Sequence, residues 1–247
     1  MSLATIALLC AAMVGTSFLS GIFGMAGGLI LIGILLALLP LPEAMMLHGV
    51  TQLASNGWRA LLWWRHIRWR PVAAYIGGCL IALLVWSLWR YVPGKALALL
   101  LLGVTPFMVR LAPARLQADP ESPVQGVFYG IACMSLILLT GVAGPLIDSF
   151  FLGGRLDRRE IVATKAACQV FGHLAKLVYF GGIIEQAATV DPLVAILAVL
   201  SCMVGTLLAA RVLETMTDTQ FRRWANGIIT AIAGYYVVHG ALLLVTA

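Results

Sequence analysis

A chain of 247 residues that is 62% hydrophobic and only 11% charged, with mean hydropathy +1.00, has too few charges to cover a soluble domain. That excludes a soluble globular fold and makes lipid the solvent for most of the surface. The net charge of +6 does not mark a nucleic-acid binder, because the basic residues stand singly or in small groups between apolar runs, as membrane loop anchors do.

A helix that crosses the bilayer needs about 20 apolar residues at 1.5 Å each. Residues 3–22 make the first such run; with no Lys or Arg before it, the run is expected to belong to the mature protein rather than to a secretory signal peptide. The sequence GMAGG at 24–28 then breaks the chain ahead of a shorter run, 28–39. The third segment, 43–64, carries His48, Gln52, Ser55 and Arg59 at steps of 4, 3 and 4, hence on one helical face, with Thr51 and Asn56 at its border. The fourth, 72–89, has Trp69 near one end and Trp86 and Trp89 at the other, the spacing of two interfacial aromatic belts. Segments 96–109 and 124–139 follow, then a second break, GVAGP at 141–145, and a second short run, 146–152. Segment 160–180 carries Lys165, Gln169, His173 and Lys176 at steps of 4, 4 and 3, again one polar stripe. Runs 192–213 and 221–245 complete ten segments. Cys10, Cys79, Cys133, Cys168 and Cys202 all lie in apolar runs without a CxxC pair, which predicts buried free thiols and neither a metal nor another cofactor. The expectation is an all-α polytopic membrane protein with short re-entrant or broken helices after each glycine break.

The chain also repeats. An offset of 117 aligns GMAGGLI (24–30) with GVAGPLI (141–147) and runs without a gap to residue 62, with nine identities in 39 positions that include Gly24/Gly141, Gly27/Gly144, Glu43/Glu160 and Gln52/Gln169. Residues 1–116 and 117–247 are therefore expected to be two membrane repeats of one integral domain. Placing the loops 65–70, 110–122, 153–159 and 211–223 in the cytoplasm puts eleven basic residues there and leaves Arg90 and Lys95 opposite. With five segments in each half, that assignment inverts one repeat relative to the other and places both termini outside, periplasmic for a bacterial inner-membrane protein.

Polar side chains in hydrocarbon are costly and face a protein interior or a watery cavity. The two stripes correspond under the offset and are expected to line a pathway, with Thr51, Gln52, Asn56, Arg59, Lys165, Gln169, His173 and Lys176 in contact with substrate. Arg59 and Lys176 also have a second reading, since each lies about 6 to 9 Å from the end of its segment and a long basic side chain reaches an interface from there. Gly24, Gly27, Gly28, Gly141 and Gly144 free backbone N–H groups at helix starts, where the dipole favours an anion; close helix packing is the alternative. Gly15 and Gly21 are expected only to pack. His48, His173 and Asp148 are candidates for proton coupling, and His48 and His173 have a structural reading as hydrogen-bonded core residues. Glu43 and Glu160 open their helices, where a carboxylate suits the dipole.

The segments GIFGMAGGLILIG (21–33) with HGVTQLASN (48–56), and GVAGPLI (141–147) with VATKAACQVFGHLAK (162–176), resemble the TauE/SafE family of membrane permeases over essentially the whole chain. That resemblance implies export or uptake of sulfite, sulfonates or related small organic anions. Together these features predict a secondary transporter for a small anion, working by alternating access, whose partners are its substrate, membrane lipid and, in one arrangement, further copies of itself. A membrane-embedded enzyme is the first rival, for which no HExxH motif or activated nucleophile is evident. An accessory membrane protein is the second, for which the longest loop, 110–123, is short.

Overall fold

The structure, a computed structural model, describes residues 3–23, 26–111, 118–152, 156, 158–184, 190–215 and 218–246. In chain order its helices are α1 (Leu3–Phe23), α2 (Ala26–Leu38), α3 (Leu41–Leu62), α4 (Trp69–Trp89), α5 (Lys95–Leu111), α6 (Pro123–Thr140), α7 (Gly144–Leu152), α8 (Arg158–Val178), α9 (Pro192–Thr215) and α10 (Asp218–Thr246). A 3-10 turn, Trp64–His66, follows α3, and a π turn, Tyr179–Ile183, extends α8. Among the described residues, six helices are long and apolar enough to cross a membrane: α1, α4, α6, α8 with its π turn, α9 and α10. The protein is an all-helical integral membrane protein. The two runs after the glycine breaks fold as helices of 13 and nine residues, α2 and α7, about 20 and 14 Å long and too short to cross. By contrast α3 has the length, 22 residues, but its polar stripe lowers its apolar character, and α5 stops at 17 residues.

Small residues let the helices approach closely, as packing in lipid requires. On α6, a Cβ at Gly130 would overlap the Tyr75 carbonyl of α4 and come within 3.0 Å of the Gly78 Cα. The α1–α9 contact matches the α4–α6 contact when α1–α5 are exchanged for α6–α10, and the other main packings also find their counterparts. Two helices pack against their own counterparts and run antiparallel to them. In the α3–α8 pair, His48 meets Lys176 near one end and Trp63 meets Arg159 at the other. In the α5–α10 pair, Gly103 faces Ala233 and Val237, while Gly240 faces Ala96 and Leu100.

At one end of the bundle Arg68 joins three segments. Its guanidinium pairs with Glu121 at 3.5 Å and Glu160 at 3.1 Å, and its backbone N–H donates to Thr164. Trp63, Trp64 and Trp69 are exposed there. Glu160 in the first turn of α8 thus supports the helix start and also ties it to the loop before α4. At the opposite end the Tyr179 hydroxyl donates to the Tyr91 carbonyl at 2.7 Å. All five cysteines are free thiols, four of them buried.

Candidate functional site

Both polar stripes run along the α3–α8 crossing, and the short helices α2 and α7 begin beside it. Between them lies a small cavity of about 20 Å³, lined by Gly28 and Gln52 from the first half, Gly144, Gln169 and His173 from the second, and Tyr75 from α4. Apolar side chains of α6, α7 and the second break close the remainder. Space of this size holds about one water molecule. Gly28 stands in the first turn of α2 and Gly144 opens α7, so the starts of both short helices border the cavity. The missing side chain at Gly28 makes room for Gln52, whose Oε1 would sit 3.1 Å from a Cβ placed there.

Three side-chain atoms of the lining residues are buried without a hydrogen-bond partner: the Tyr75 hydroxyl, Oε1 of Gln169 and Nδ1 of His173. Buried polar atoms are nearly always satisfied, so three orphans around one cavity mark a place for a ligand. Ser55 Oγ on α3 is also unpartnered but is not part of the cavity wall.

Beside the cavity, His48 and His173 pack edge to face with ring centroids 5.7 Å apart. His48 Nε2 lies 3.0 Å from the Gly28 carbonyl, which only accepts, so Nε2 carries the hydrogen. That leaves His48 Nδ1 to accept from Lys176 Nζ at 2.8 Å. Lys176 also donates to the Gly141 carbonyl at 3.2 Å. Gly141 caps α6 at φ +90°, a left-handed conformation that favours glycine, and turns that carbonyl toward the lysine. Lys176 is fully buried, so its position near the end of α8 does not carry it to an interface. Among the described residues its hydrogen-bond partners include no carboxylate.

The remaining candidates lie farther out. Lys165 pairs with Asp148 across α8 and α7, with both side chains largely buried, so each cancels the other's charge. The Arg59 guanidinium reaches the Ser20 carbonyl and Asn56 Oδ1, each at 3.5 Å, and lies about 10 Å along α3 from Gln52. Asn56 Nδ2 donates to the Gln52 carbonyl and Thr51 Oγ1 to the His48 carbonyl, so both side chains turn back onto their own helix. Gly27 serves packing: a Cβ there would overlap the Thr16 carbonyl and sit 2.8 Å from the Ser20 nitrogen. Gly21 packs likewise on α9, whereas a Cβ at Gly15 would meet nothing within 4 Å. Gly24 lies outside the described residues.

Tyr75 is the polar lining residue that sequence reasoning missed, beside the apolar Ile137, Val142, Ala143 and Ile147. Its signal was a phenol about 9 Å inside a span, away from both aromatic belts and next to the small residues Gly77 and Gly78. No group of His, Cys, Asp and Glu able to hold a metal occurs among the described residues.

The family model for the sulfite exporter TauE/SafE matches residues 7–236. No curated protein and no solved structure matches.

Proposed function

The chain belongs to the sulfite exporter TauE/SafE family, a family of membrane transporters, and from that premise we propose that it is a secondary permease carrying a small anion of the sulfite or sulfonate kind by alternating access. The observation that carries this reading is the cavity where the two glycine breaks meet, with three unpartnered buried polar atoms in its wall. The α2 and α7 helix starts bring the positive ends of two dipoles, Gln52 and Gln169 supply amides, and the buried Lys176 amine stands behind them, able to take up a proton with the anion. A charge-assisted hydrogen bond contributes about 1.5–3 kcal/mol, so a few of them offset much of the cost of drying a small anion.

The packing supports alternating access. Antiparallel contact of α3 with α8 and of α5 with α10 supports the reading that the halves are inverted repeats, and the cavity lies at the first of these seams. An anion of four heavy atoms needs more space than one water, so loading requires α2–α3 and α7–α8 to separate. Lys176 spans that seam through His48 on one side and Gly141 on the other, which makes it the natural element for sensing an anion and for re-forming the closed seam after release. The protein would sit in a bacterial inner membrane with both termini outside.

The test is reconstitution into liposomes with labelled sulfite, thiosulfate, sulfonates and small carboxylates, with and without a proton gradient. Saturable uptake of at least one sulfur oxyanion, above protein-free vesicles, is expected. Uptake of none of the panel under either condition removes the permease reading.

A further inference from the structure

The three unpartnered atoms differ in chemistry. A hydroxyl both donates and accepts, an imidazole nitrogen does one or the other, and an amide oxygen only accepts. A ligand that satisfies Tyr75, His173 and Oε1 of Gln169 together must therefore bring at least one hydrogen of its own besides its acceptor oxygens. The sulfite dianion is acceptor-only; its singly protonated form has both.

The charges point the same way. Asp148 cancels Lys165, and Arg59 is held at Ser20 and Asn56 about 10 Å along α3. Among the described residues, the amine closest in the bonding network whose hydrogen-bond partners include no carboxylate is Lys176, which reaches the cavity wall through His48 and its ring contact with His173. With Lys176 protonated as the anion enters, its one positive charge balances one negative charge, whereas a second negative charge would stay unbalanced in a low-dielectric site.

We infer that the cavity takes its anion in a singly protonated, singly charged form of the hydrogen-sulfite type, and that Tyr75 is a residue that selects that form. This rests on the permease reading above.

The experiment uses the full chain in proteoliposomes and measures KM for total sulfite at a series of pH values, with isethionate, a monoanion throughout that carries a hydroxyl hydrogen of its own, in parallel. His48, Tyr75, His173 and Lys176 surround or adjoin the cavity, with Arg59 and the Asp148–Lys165 pair beyond. The thiols of Cys79, Cys133 and Cys168 stand near Tyr75. Titration of any of these groups acts on both anions, so the ratio of the two KM values isolates the ligand's own proton. Above the second ionisation of sulfite, that ratio is expected to rise about tenfold per pH unit, because the competent fraction falls by that factor. Tyr75→Phe, which keeps the ring and leaves no protein group unpaired, is expected to weaken sulfite about tenfold at fixed pH with folded yield unchanged. A pH-independent ratio, or wild-type sulfite KM in Tyr75→Phe, overturns the inference while leaving a transporting protein. Transport of neither anion at any pH overturns the permease reading and the inference with it.

Discussion

Gln52 and Gln169 occupy equivalent positions in the two halves and line the same cavity, though they are 117 residues apart in the chain. Replacing either with Leu keeps the volume and removes the amide. For an anion held in the cavity, the loss is expected to be about 1–3 kcal/mol, roughly tenfold to a hundredfold in affinity. Gly15→Ala, where a Cβ meets open space, is expected to leave transport unchanged. Wild-type affinity in both glutamine variants would remove them from the site, and loss of folded protein would make them contacts between helices. Lys176 shows how far a residue's position along a helix is from its environment. Four residues from Phe180, it has the reach to snorkel, yet its ammonium points across the α3–α8 seam to His48. Linear distance to the segment end was legible in the sequence; the direction of the side chain around the helix axis was not.

Helix α4 illustrates how a seam of small residues places a functional side chain. Tyr75 is held against α6 because Gly130 lets the α6 backbone come up to the Tyr75 carbonyl. Gly130→Val would drive branched methyl groups into that carbonyl and the Gly78 Cα, and separation of the two helices is expected to cost about 1–3 kcal/mol. A chain of this size should then melt several degrees lower in detergent, at about 2–4 °C per kcal/mol. The shift of Tyr75 should weaken sulfite in the same variant. Gly227→Ala on α10, where a Cβ meets nothing within 4 Å, is the matched control and is expected to keep the wild-type Tm within about 2 °C. Equal melting of the two variants would mean that the seam is not tight.

For the whole molecule, the decisive question is orientation. Arg68 brings the loop before α4, Glu121 before α6 and Glu160 at the start of α8 together at one end, so parts of two of the four basic segments and the helix start that follows a third share a face. The asymmetry of eleven basic residues against two predicts that this face is cytoplasmic and that the C-terminus is outside. A cytoplasm-only reporter inserted between α5 and α6 should be active, and the same reporter fused after Ala247 should be silent. Activity after Ala247 with silence at the first site would reverse the orientation, and activity at both sites would overturn the inverted arrangement of the halves.

The sequence by itself determined the solvent, the helical class, the ten segments, the two breaks and the repeat. Each is written in local hydropathy, glycine placement or self-similarity and needs no knowledge of neighbours: the helix starts and ends fall within a few residues of the apolar runs. It also gathered the polar stripes that the α3–α8 crossing brings into contact. Only the tertiary structure decided which members of those stripes reach one cavity, because rotation about each helix axis and the crossing of distant helices fix that. His48 meets Lys176 across 128 positions, Asp148 takes up the charge of Lys165, and Gly27 closes a hairpin. Tyr75, from a helix outside both stripes, supplies the hydroxyl that periodicity had no means of pointing to.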